Sequence, residues 1–215
     1  MTVRQRLSLL VSMASIGLGL VSVSGIVQMN NVYTSANYGN ENTVPSLLTL
    51  DSAYRSIANM RVQLLKFLVT PDAAVRAEME KGVMENADKI DASLKNYEKI
   101  VSDDKDQAYL DQDRKAVAAY YALRDRVIGL QKSGHQADAL NEFLTNPKVA
   151  ADMGDALTKH ADYNAQLGLK ASNDAEKSKS SAVLWAIGIS LGVFALLLVM
   201  GVATIRSIVG QLGGE

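Results

Sequence analysis

The sequence contains no cysteine, which removes disulfide staples, thiolate nucleophiles and thiolate metal ligands together. It has two histidines, and neither stands at a metal-ligand spacing from acidic residues, so no metal and no cofactor is expected. No glycine-rich phosphate loop, G-x-S-x-G elbow or H-E-x-x-H helix occurs, and no Ser/His/Asp grouping suggests a nucleophile. Catalysis is therefore not expected. Three prolines, 6% aromatic residues and the lack of sustained period-two alternation argue against a β-sandwich and for helices. With a net charge of −1 the chain has no sequence-wide basic field, so nucleic acid is not an expected partner.

Charge is also missing locally. None falls between Arg6 and Glu41, and none between Lys179 and Arg206. The second gap holds the apolar run Leu184 to Ile205, flanked by Lys177 and Lys179 before it and Arg206 after it, with Trp185 at the end where an indole favours the headgroup layer. At about 1.5 Å per residue such a run crosses a hydrocarbon core of roughly 30 Å. The first gap opens with Leu7 to Val27, also apolar or small. A basic start and an apolar core fit a cleaved signal peptide as well as an anchor. The run exceeds the usual signal-peptide core of roughly 7–15 residues, which favours the anchor. The arginines then place residues 1–6 inside, spans at 7–27 and 182–205, an exported domain at 28–181, and residues 206–215 inside again.

Between the spans the hydrophobic period is helical. Leu47, Leu50, Tyr54, Ile57, Arg61, Leu64 and Leu68 make a first stripe, preceded by Pro45, where a helix continuing from the first span should bend or restart, and ended by Thr70-Pro71-Asp72. Val83, Ala87, Ile90, Leu94, Tyr97 and Val101 make a second. The run SDDKDQ reads as a solvated turn, and Ala116, Tyr120, Leu123, Val127 and Leu130 make a third stripe that stops at Lys132-Ser133-Gly134. A short helix over Gln136 to Leu144 follows, broken at Asn146-Pro147. Ala150, Met153, Leu157, His160, Asn164, Leu167 and Ala171 form the fourth stripe. Four amphipathic segments with short connections give an all-α, antiparallel up-down-up-down four-helix bundle. No proline separates the fourth segment from the second span.

Polar residues on these stripes carry the functional readings. Arg61 stands where an apolar side chain is expected: either its stem packs while its head reaches water or a carboxylate, or its planar guanidinium is a two-point donor for a small carboxylate ligand. Tyr121 and Arg124 flank the core at a helix edge, an ordinary rim position. Thr145 or Asn146 fits a cap for the fourth helix, whose first N–H groups could alternatively face an anion, with Lys148 beside them. His160 and Asn164 read as buried polar residues that tune helix register.

Two spans around such a bundle, followed by Arg206-Ser207-Ile208-Val209-Gly210-Gln211-Leu212-Gly213-Gly214-Glu215, resemble a bacterial methyl-accepting chemotaxis receptor up to the first residues of its HAMP linker. Met60 to Lys66 resembles the arginine-bearing segment of the first sensor helix in the aspartate receptor. That match gives Arg61 the role of the leading ligand arginine and Lys66 that of the second. Phe143 to Lys148 resembles the segment before the fourth helix, with Asn146 and Pro147 matching and Lys148 where a ligand-binding threonine stands. Thr70 falls at the place of a third ligand arginine. The resemblance implies a homodimer, with membership of larger receptor arrays, in the bacterial inner membrane. Its ligand is a small anionic metabolite, a di- or tricarboxylate, with Arg61, Lys66, Tyr121, Arg124, Thr145, Asn146 and Lys148 as candidate binding residues. A histidine kinase or diguanylate cyclase with the same input is the alternative output, and a structural membrane protein whose bundle binds nothing is the alternative class.

Overall fold

A computed structural model describes residues 3–211. Its elements are α1 (Val3–Tyr38), a π-helical segment (Gly39–Thr43), α2 (Val44–Val69), α3 (Ala73–Tyr97), α4 (Asp104–Lys132), α5 (Gln136–Thr145) and α6 (Pro147–Gln211). No strand occurs among the described residues. The chain divides into two compact units, Tyr38–Leu169 and the remainder. Residues 212–215 of the RSIVGQLGGE stretch lie outside the described residues, and 206–211 end α6.

In the Tyr38–Leu169 unit, α2, α3, α4 and the first part of α6 enclose one core, as the four-stripe pattern implies. Element boundaries follow local chemistry. Pro45 has no N–H to give, and the backbone before it widens so that Val44 N–H reaches the carbonyl of Gly39, five residues back. The π segment thus absorbs the interruption and α2 restarts with proline in its first turn. Asp72 caps α3 by accepting from the N–H groups of Ala74 (2.8 Å) and Val75 (3.1 Å). Gly134, at φ +86°, closes α4 in the left-handed region.

Two expectations are corrected. On α2 the buried series is Leu50, Ala53, Ile57, Met60, Leu64 and Phe67, while Tyr54 and Arg61 are exposed. Steps of three and four starting from Leu50 allow either phase, and shape favours small Ala53 and flexible Met60 inside. SDDKDQ is a solvated turn only in part: Ser102 to Lys105 are exposed, but α4 already begins at Asp104. Asp103 caps α4 through the N–H groups of Lys105 (2.9 Å) and Asp106 (2.8 Å), and Asp106 is fully buried. The third stripe accordingly begins earlier, with Asp106, Leu110, Asp113 and Val117 inside.

The other unit contains two helical stretches long and apolar enough to cross a membrane. Their apolar side chains point away from protein: Leu18 is 73% and Leu184 71% exposed. A Cβ on Gly17 would lie 2.6 Å from Val193 Cγ1, so this close approach of α1 and α6 requires glycine.

Candidate functional site

The bundle carries two polar sites at different levels. The first surrounds Tyr120 on α4. Its ring is wholly buried, and its hydroxyl is buried with no hydrogen-bond partner. Burial pushes this phenol up to about 12, against an opposing pull from the charges of Arg61 on α2 and Arg124 on α4. Arg124 is 8% exposed, with its guanidinium 4.3 Å above the Tyr121 ring and Nε donating to Asp125 at 2.8 Å. Tyr121 in turn donates its hydroxyl toward the Ala87 carbonyl and Asp91 of α3, each at 3.0 Å, which fixes the ring under Arg124. Burial, followed by the charge of Asp91, raises the Tyr121 phenol well above its usual value. Arg61 is exposed and makes neither hydrogen bond nor ion pair among the described residues. Arg61 and Arg124 are thus both within charge range of a buried hydroxyl that lacks an acceptor, a combination suited to a carboxylate, which would accept from the hydroxyl and pair with an arginine.

The remaining candidates stand apart from this group. Lys66 is exposed near the end of α2. Thr145 Oγ1 donates to the Asn141 carbonyl and Asn146 Nδ2 to the Glu142 carbonyl, each at 2.8 Å, so both side chains face back onto α5; the Val149 N–H of α6 goes to the Asn146 main-chain carbonyl at 3.3 Å rather than to a capping side chain. Lys148 is held by Asp152 one turn on, at 2.5 Å. Among the described residues no hydrogen bond or ion pair joins Lys66, Thr145, Asn146 or Lys148 to Arg61 or Arg124.

The second site centres on His160 of α6, buried at 0% exposure between two aspartates of α4. Its Nδ1 is 2.5 Å from Asp113 Oδ2 and its Nε2 is 2.7 Å from Asp106 Oδ1. Asp106 also accepts from Tyr97 Oη (2.8 Å), Asn164 Nδ2 (3.1 Å) and the Ser102 N–H (2.7 Å). Burial alone would raise its carboxyl, but donors led by His160 hold it down to about 2. Asp113 has an unpartnered Oδ1, and burial raises it. Burial alone would lower His160; the hydrogen bonds to Asp106 and Asp113 outweigh this and raise it.

Sequence reading placed Tyr120 in the core without a role and missed Asp106 and Asp113. Extending the third stripe backwards from Tyr120 by alternate three and four reaches both aspartates, and their registry with buried His160 was the available signal. Acidic residues before a helix suggest caps and solvent, which hid it.

Compared with known families, residues 1–179 match the one described as a four helix bundle sensory module for signal transduction. No curated protein and no solved structure matched the chain.

Proposed function

From the premise that this chain belongs to the family of four-helix-bundle sensory modules for signal transduction, we propose that it is the input of a transmembrane chemoreceptor for a small di- or tricarboxylate. The bundle lies outside the bacterial inner membrane, and α6 leads to a HAMP linker from Arg206 and a cytoplasmic chemotaxis module. One observation supports the ligand class above all. The buried Tyr120 hydroxyl lacks an acceptor and feels the charges of two arginines, of which Arg61 makes no ion pair among the described residues. An unmade buried hydrogen bond costs about 1–3 kcal/mol, so a group that supplies the acceptor and neutralises the arginines is bound with that cost recovered.

Arg61 acts as the two-point donor, since it is exposed and uncommitted. Arg124, held by Tyr121 and Asp125, is the fixed charge. Lys66 and Lys148 supply attraction at longer range, Lys148 once it leaves Asp152. A homodimer of two such bundles fits the exposed apolar residues of α2, Val44, Leu48, Val62, Leu65 and Val69, which leave one face of that helix without a partner.

Calorimetric titration of the purified chain in detergent micelles against two-, three- and four-carboxylate acids, amino acids and amines tests this. Binding confined to the polycarboxylates is the expected result. Binding of amines, or of no acid in the panel, would contradict it.

A further inference from the structure

The arrangement around His160 fixes a proton count. Each ring nitrogen faces a carboxylate oxygen, at 2.5 and 2.7 Å, and a contact that short between two heavy atoms needs a hydrogen in it. Two protons are thus shared by one imidazole and two carboxylates, giving a cluster of net charge −1 with no solvent access. If one proton leaves, one ring nitrogen turns its lone pair toward a carboxylate and the buried charge becomes −2. No protein donor stands ready on Asp113, whose other oxygen is unpartnered. Asp106 by contrast keeps Tyr97, Asn164 and the Ser102 N–H. A carboxylate that loses the ring N–H is better tolerated where other donors remain, so the proton that departs is the one between His160 Nε2 and Asp106, and the resulting repulsion falls on the carboxylate that also holds Ser102.

The groups facing His160 come from every side. Tyr109 of α4 stacks on the ring at 5.6 Å, and Tyr97 of α3 meets it edge-on at 4.5 Å. Tyr163 of α6 packs on Tyr109, donates to Asp103 at 2.6 Å, and carries Lys105 Nζ at 4.6 Å from its ring centroid. From α2 comes the Ser46 hydroxyl, near that of Tyr97. No lysine or arginine among the described residues bonds to the cluster.

Hydrogen bonds lead onward from it. Asp106 Oδ2 holds the N–H of Ser102 in the α3–α4 turn. Ser102 Oγ donates to Asn42 Oδ1 and accepts from Tyr38 Oη, each at 3.0 Å, and Asn42 Nδ2 donates to the Ile100 carbonyl at 2.8 Å. Asn42 lies in the π segment. The turn is thus bound on one side to the buried cluster and on the other to a stretch where the helical ladder is already widened.

We propose that Asp113, His160 and Asp106 form a proton-binding site, a second input independent of the Arg61 site, whose loss of one proton as pH rises loosens the α3–α4 turn and with it the π segment at Gly39–Thr43. The raised affinity of His160 for its proton sets the change above the ordinary histidine range. Ligand and proton would then act on one sensor from two levels of the bundle.

The full chain carrying His135→Gln, in detergent micelles, leaves His160 as its sole imidazole. Its ring carbon and nitrogen resonances, followed by NMR with pH, should stay those of an imidazolium through the ordinary histidine range and change above it. Amide exchange at residues 39–43, with intrinsic base catalysis divided out, should quicken over the same range. Asp113→Asn supplies an N–H that His160 Nδ1 can accept, so the neutral ring keeps its Nε2–H on Asp106 with no second proton to lose; the fold should be kept and the step in exchange abolished. A ring that is neutral at pH 7 overturns the proposal. So does an imidazolium whose titration leaves exchange at 39–43 unchanged, or an Asp113→Asn chain that keeps the step.

Discussion

At the scale of single residues, the buried aspartates of α4 differ although they share one histidine. Asp106 receives protein donors on both oxygens, whereas Asp113 has His160 alone. Asp106→Asn replaces an acceptor by a group with two hydrogens that meet existing donors, and should cost roughly 3–5 kcal/mol in chemical denaturation. Asp113→Asn should cost less, about 1–3 kcal/mol, since burial already favours its uncharged form. The signs of the shifts set the pH dependence. His160, raised above 6.5, stabilises fully below that value and loses its contribution as pH climbs through its folded pKa. Asp106, lowered from 3.8 to about 2, stabilises above 3.8 and loses its contribution as pH falls through about 2. Asp113 has the opposite sign to Asp106: its raised carboxyl favours the fold while protonated, and that part is lost as pH rises. Thermal melts followed by circular dichroism should therefore be highest in mildly acidic buffer and decline on both sides. A melting temperature that keeps rising from neutral to alkaline pH would contradict these assignments.

At the scale of elements, glycine substitutions separate packed positions from open ones. A Cβ on Gly168 of α6 would come within 2.7 Å of Thr43 Cγ2 in the π segment, while one on Gly129 of α4 meets nothing within 4 Å. Gly168→Leu should destabilise by about 1–3 kcal/mol through overpacking. Gly129→Ala should stabilise by roughly 0.5–1 kcal/mol through helix propensity, both read from urea midpoints. The same scale shows what sequence could reveal. Helix count and the stripes of α3 and α6 were legible because apolar residues recur there without competitors: Val83, Ala87, Ile90 and Leu94 are all buried, as are Met153, Leu157, His160 and Asn164. On α2 the phase was ambiguous, since Leu50, Ile57 and Leu64 fit a series through Met60 as well as one through Arg61. On α4 the stripe was cut short, because aspartates mark solvent unless a buried partner from another helix is known, and that partner is 47 residues away. The pairing of Arg124 with the Tyr121 ring is likewise a tertiary fact that adjacent placement at a helix edge did not disclose.

At the scale of the whole molecule, a family match over residues 1–179 and two helices able to cross a membrane describe a membrane-bound sensor. The absence of native cysteine makes its topology directly testable. Lys81, with its side chain 77% exposed on α3, should as Lys81→Cys react with an impermeant maleimide in intact cells, whereas Ser207→Cys should react only after the membrane is opened. Labelling in the reverse order would place the bundle inside. The central claim is that Arg61, exposed and unpaired among the described residues and acting by its charge on the acceptor-less Tyr120 hydroxyl, holds a ligand carboxylate. Calorimetric titration of the polycarboxylate that binds the wild-type chain into Arg61→Ala measures this most directly. The account predicts affinity weaker by roughly 2–5 kcal/mol, with Arg61→Lys recovering only part of it because an ammonium lacks the planar two-point contact. Unchanged affinity in Arg61→Ala, with an intact helical dichroism spectrum, would contradict it.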